Sequence, residues 1–188
     1  MAEGLELEFN DTNKRIGILI AVMAGVLAFA EAGGSNASAD ALRGTVELSN
    51  TWAFFQAKTI RMTTLNAQAD ALELVTNEMA AGPQREAITK KVTDWRATAQ
   101  RYDSEPETGE GRKELAAKAK EIETARNDAA AANATYDLSS SALQLGILLA
   151  SAAVVTGLLW LSYIGAGLGV VGTLLGFMGL WAPHVLGG

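Results

Sequence analysis

The chain has 188 residues, a net charge of −6 and no cysteine, and 49% of it is hydrophobic. Without cysteine there is no disulfide framework, thiolate nucleophile or cysteine metal site, and the single histidine, His184, cannot assemble a His-based centre within one chain. Nucleic-acid binding needs a basic face for the phosphates, and the mixed, mildly acidic stretch 31–137 offers none, so neither nucleic acid nor a cofactor is expected.

Residues 1–12 form an acidic N-terminal tail with Glu3, Glu6, Glu8 and Asp11. Lys14 and Arg15 then precede an uncharged apolar run over 16–30. A basic pair, an apolar run and Ala28-Phe29-Ala30 also describe a secretory signal peptide, but the acidic start argues against cleavage. The pattern predicts a retained transmembrane helix over 13–34, capped by Asp11, Thr12 or Asn13 and ended by Gly33-Gly34. Basic residues next to a span favour the cytoplasm. Lys14 and Arg15 therefore place the N-terminus there and the following domain in the periplasm or its equivalent.

Residues 35–137 show helical spacing and no strand-like alternation. Leu48, Trp52, Phe55, Met62, Leu65, Ala69, Leu72, Val75 and Met79 fall three or four apart and predict a helix over 38–80, roughly 60 Å long. Ala81-Gly82-Pro83 breaks it. A second helix over 84–102 carries Ile88, Val92, Trp95, Ala99 and Tyr102, and 103–111 is an acidic turn. From Arg112 one continuous helix runs into the second uncharged block, on the order of 75 Å in all. The expected domain is a coiled-coil-like helical hairpin or bundle standing on the membrane. Its thin helices bury little surface alone, which favours oligomerisation.

No residue from 138 to 188 is Asp, Glu, Lys or Arg. About 20 apolar residues cross a bilayer core roughly 30 Å thick, so this block predicts two spans, 138–163 and 165–183. The turn is expected within Ser162–Gly167, Pro183 ends the last helix, and 184–188 is a tail. Trp160, Tyr163 and Trp181 would bracket the third span at the headgroups. All three spans carry small residues at alternating steps of about three and four. These are Gly17, Ala21, Ala24 and Ala28 in the first, and Gly146, Ala150, Ala153 and Gly157 in the second. The third has Gly165, Gly169, Gly172, Gly176 and Gly179. In lipid, small residues let backbones approach closely enough for dispersion contacts. Packing among the three spans would explain the stripes, and self-association through the glycine stripe is expected in addition.

Glu31 continues the first stripe, and an inward carboxylate there would suit an ion or proton site. At the end of a span it can also simply reach water. Gln144 and Thr156 are explained by interhelical hydrogen bonds. Trp52, Phe55, Gln56 and Lys58 form the densest motif of the middle domain, read as core anchors or as the lining of a partner groove. No nucleophile–base pair, phosphate-binding loop or metal-ligand spacing occurs, so an enzyme is not expected.

Trp-Ala-Phe-Phe-Gln-Ala-Lys-Thr-Ile-Arg (52–61) and Tyr-Asp-Leu-Ser-Ser-Ser-Ala-Leu-Gln-Leu-Gly-Ile (136–147) resemble a bacterial membrane family labelled only as domain of unknown function 4337. The resemblance spans most of the chain and implies a bacterial inner-membrane location without an activity. The resembled family often carries a basic cluster between its last two spans, which Ser162–Gly167 lacks. Together these readings predict an all-α, three-span integral membrane protein. It would act as a homo-oligomeric scaffold or an accessory subunit of a membrane complex. The alternative is an oligomeric ion channel or transporter with an acidic ring at Glu31.

Overall fold

The computed structural model describes residues 11–181. It contains four helices and, among the described residues, no strand: α1 (Asp11–Glu78), α2 (Pro83–Asp103), α3 (Arg112–Thr156) and α4 (Leu159–Trp181). Of these, α1, α3 and α4 are each long and apolar enough to cross a membrane. The expectations for Glu3, Glu6, Glu8, Pro183 and His184 lie outside the described residues. The helices divide between two compact units, one holding the chain up to Leu42 with Arg126 onward, the other Arg43–Ala125. Residues 35–42 and 126–137, expected in the extramembrane domain, pack with the first unit.

The first unit is built on a seven-residue repeat. Ile16, Met23 and Ala30 of α1 pack with Tyr136, Leu143 and Ala150 of α3 in one buried cluster, the spacing that keeps one seam facing a partner helix. Gly165, Gly169, Gly172 and Gly179 of α4 are buried as well. A methyl built on Gly165 would lie 2.6 Å from the Gly146 carbonyl, and one on Gly146 would lie 2.8 Å from the Gly165 carbonyl. At that crossing the two backbones touch, so neither position admits a side chain.

Three expectations are corrected here. Gly33-Gly34 does not end the first helix, and no new helix starts near Ser38: α1 runs unbroken to Glu78. Each glycine costs a helix interior roughly 1 kcal/mol relative to alanine, but here the pair makes room for a ring. A methyl on Gly33 would lie 2.7 Å from the Tyr136 ring. The turn between the last two helices lies at Gly157 and Leu158, not within Ser162–Gly167. Gly157 has φ +71°, a left-handed conformation suited to glycine, and its amide donates to the Ala153 carbonyl at 3.0 Å. Trp160 and Tyr163 therefore belong to the start of α4. Finally, Gly17, Ala21, Ala24 and Ala28 are all exposed, and the face of α1 that packs inward is the bulkier Ile16–Met23–Ala30.

The second unit joins the Arg43–Glu78 part of α1 with α2 and the start of α3. Its core uses small residues, Ala69, Ala99 and Ala119 beside Val92 and Leu115, so the helices approach closely. Pro83 opens α2 at a position where its missing N–H is not needed. The Arg85 guanidinium donates to the Met79 carbonyl at 3.2 Å just past the end of α1.

The 104–111 turn is held by Glu114, which accepts from the Ser104 hydroxyl at 2.6 Å and the Glu105 amide at 3.2 Å. Asp103 pairs with Lys113 at 2.7 Å and Arg112 at 3.1 Å. The Lys113 hydrogen bond holds the Asp103 carboxyl below its usual range. The Ser104 hydroxyl does the same for Glu114. A lowered folded-state pKa stabilises above the unfolded value and is lost as pH falls through the folded one. The turn is therefore expected to keep its amide-exchange protection at pH 5 and lose it below about pH 4. Equal protection at pH 7 and pH 2.5 would show that these carboxylates do not hold it.

Candidate functional site

Periodicity puts Glu31, Gly34, Ser35 and Ser38 on one face of α1, and Asn133, Asp137, Ser140, Ser141 and Gln144 on one face of α3. Together with Ala30 these residues line a groove of about 450 Å³ within the first unit. Glu31 is exposed, and its carboxylate accepts from the Gln144 amide at 3.3 Å. Asp137 accepts from the Asn133 side-chain amide at 3.3 Å. Gly34 keeps the groove floor low, since a methyl there would meet the Tyr136 Cβ at 3.2 Å and the Asp137 carboxylate at 3.9 Å.

The groove contains two carboxylates, amide groups and hydroxyls, with no Lys, Arg or His in its lining. Such oxygen-rich surfaces attract hard cations. The Ser141 hydroxyl donates to the Asp137 backbone carbonyl at 2.8 Å, so it serves its own helix. Among the described residues no group of three or more His, Cys, Asp or Glu is placed to hold a metal ion. Glu31 was legible from sequence, but Asp137 was not. It sits on α3 opposite Glu31, and only the helix pairing brings the two to one groove.

The glycine stripe of α4 faces partners inside the chain. Gly169 approaches Met23, Gly172 approaches Leu143 and Ser139, Gly176 approaches Ser139, and Gly179 approaches Tyr136. The buried Ser139 hydroxyl donates to the Gly172 carbonyl at 2.7 Å, joining α3 to α4. Ala150 and Ala153 are buried on the same seam, but Gly157 is exposed at the turn. Tyr136 and Ser139 stand in the 136–147 motif, but their pairing with the α4 glycines was not foreseen. Their signal was the glycines themselves, because a glycine run on one helix implies a bulky or backbone neighbour on another.

In the second unit the Trp52–Lys58 motif does not form one groove. Trp52 and Phe55 meet edge to face at 5.2 Å, and Gln56 is exposed. Lys58 turns inward instead. Its ammonium lies 5.0 Å from the Tyr102 ring and 5.4 Å from the Phe54 ring, and 3.6 Å from a Glu110 carboxylate oxygen. A buried lysine that is paired and stacked in this way tethers the 104–111 turn to α1.

These features define a class: a protein that is all-helical among the described residues, with three helices long and apolar enough to cross a bilayer. More particularly, the sequence profile described as Domain of unknown function (DUF4337) matches residues 12–182, and the chain belongs to that family. No curated protein and no solved structure matches it.

Proposed function

We propose that the chain is a non-catalytic, homo-oligomeric scaffold or accessory subunit of a membrane assembly. In this reading α1, α3 and α4 cross the bilayer, and the Arg43–Ala125 helices provide docking surface. The observation that carries it is the combination of three bilayer-length apolar helices with a helical unit that leaves Trp52, Phe54, Ile60 and Leu74 on its surface. Large exposed apolar side chains in a helical unit suit contacts with other proteins. Lys14 and Arg15 favour a cytoplasmic N-terminus, and the family resemblance favours the bacterial inner membrane.

The test is purification in native lipid discs followed by mass measurement. A defined assembly of several copies, with or without other subunits at fixed ratio, supports the reading. A lone protomer in lipid at physiological density would overturn it.

A second reading, in which several copies enclose a cation path, is favoured by the polar groove, whose two carboxylates have no basic residue beside them. Rings of carboxylates favour cations. The channel reading expects Glu31→Gln to lower cation conductance in liposomes, and an ion-tight wild-type assembly rejects it.

A further inference from the structure

The polar groove between α1 and α3 reaches far below the membrane surface, and the register of the first unit gives its depth. Trp160 and Tyr163 near the start of α4 and Trp181 at its end are all exposed. Such rings favour the headgroup level. Trp160 and Trp181 stand about 30 Å apart along the helix, the thickness of a bilayer core. Gly169 and Gly172 of α4 therefore lie near mid-core.

Glycine contacts set α1 and α3 against this scale. Gly169 meets Met23, and Gly33 and Gly179 meet the same Tyr136 ring, so α1 runs parallel to α4. Gly172 meets Leu143, which puts Gln144, the next residue, near mid-core as well. Glu31 lies about 12 Å beyond Met23 along α1, still inside the hydrocarbon layer on the Trp181 side. Ser38 and Asn133, at the other end of the groove, reach the headgroup level.

The groove thus runs from one headgroup layer to the middle of the bilayer. Glu31, Asp137, Ser141 and Gln144 are exposed along it, and the Gln144 amide donates to Glu31 at 3.3 Å at its deep end. Lipid tails satisfy none of these groups, and polar side chains at this depth face protein or a water-filled cavity. The volume of about 450 Å³ favours water. Spread over the roughly 16 Å from Asn133 to Gln144, it is about 5 Å wide, too narrow for a helix about 10 Å across. Waters need about 30 Å³ and two or more polar partners each, and the lining supplies both.

Past Gln144 the polar lining stops. The next positions on that face of α3 are Ile147, Leu148 and Ser151, and the Ser151 hydroxyl is spent on the Ile147 carbonyl at 2.8 Å. On α1 they are Ala28, Leu27 and Ala24.

We propose that the groove is a water-filled inlet, open at Ser38 and Asn133 and closed at Gln144, that brings protons and small hydrated cations to Glu31 from one side of the bilayer only. This rests on the membrane-crossing reading of α1, α3 and α4, and on neither the scaffold nor the channel. Glu31 and Asp137 set its charge preference, with no basic residue in the lining. Clefts lined by one sign of charge concentrate the opposite ion.

The chain has no cysteine, so single cysteines report water directly. In sealed right-side-out and inverted vesicles, Gln144→Cys and Ser141→Cys are expected to react with a membrane-impermeant cationic thiosulfonate from the Ser38 side alone. The rate should exceed that of Val171→Cys at least about tenfold, since a charged reagent and a thiolate both need water. Val171 is the control because it is exposed on α4 at the same depth. An anionic reagent is expected to react roughly tenfold more slowly at Gln144→Cys, and adding Glu31→Gln with Asp137→Asn should remove that difference. Labelling after unfolding in detergent checks that every thiol is intact. If Gln144→Cys reacts no faster than Val171→Cys, the groove is covered or dry and the inlet is wrong, while the membrane reading stands. Equal rates from both sides overturn the one-sided assignment, and equal rates of the two reagents overturn the cation preference. Fast labelling of Val171→Cys as well overturns the membrane reading beneath it.

Discussion

Replacing Tyr136 by alanine is expected to be among the most damaging single changes in the first unit. The ring sits in a slot made by three glycines from two helices. Methyls built on Gly33, Gly34 and Gly179 would lie 2.7, 3.2 and 3.2 Å from Tyr136 atoms. Backbones drawn this close cannot collapse further to fill the space that the ring leaves. Truncating a large buried aromatic typically costs about 3–5 kcal/mol. Thermal unfolding in mild detergent should show a clear drop for Tyr136→Ala and little change for Tyr136→Phe, which keeps the ring. Equal melting of Tyr136→Ala and wild type would mean that the slot does not hold the helices together.

The second large effect is expected at Gly172. A methyl there would lie 2.7 Å from the Leu143 Cγ and 3.0 Å from the Ser139 carbonyl, and a leucine adds three more carbons into the same space. Overpacking costs about 1–3 kcal/mol. Pushing α4 away also strips the buried Ser139 hydroxyl of its acceptor, at about 1–3 kcal/mol more. Gly167 supplies the control, because a methyl there meets nothing within 4 Å. Limited proteolysis in membranes should find Gly172→Leu cleaved much faster than wild type and Gly167→Leu unchanged. A Gly172→Leu protein that keeps its protease resistance but loses assembly mass would instead make the stripe a surface between copies.

Much of the architecture was legible because it rests on periodicities that the chain carries locally. Two uncharged blocks and three-to-four spacing identify helices whatever their neighbours, and Pro83 and the acidic run of 103–111 mark breaks that no packing could remove. The ends of the long helices were not legible, because glycine has two uses. At Gly157 it takes a left-handed turn, whereas at Gly33 and Gly34 it stays helical to admit a tyrosine more than a hundred residues away. Nothing within a few residues of either site distinguishes the two uses.

By itself, the sequence determined an all-helical chain with three helices able to cross a bilayer and a charged helical stretch between them. Only the tertiary structure decided which face of each helix is spent. It turned the α4 glycines onto Leu143, Ser139 and Tyr136, brought Asp137 beside Glu31 in one groove, and drew Lys58 away from the surface. It also left Val46, Ile60 and Leu74 exposed. A small or apolar stripe says that something can approach closely. Which neighbour does so depends on helix pairing, and that follows from the fit of whole faces rather than from the residues of either face alone.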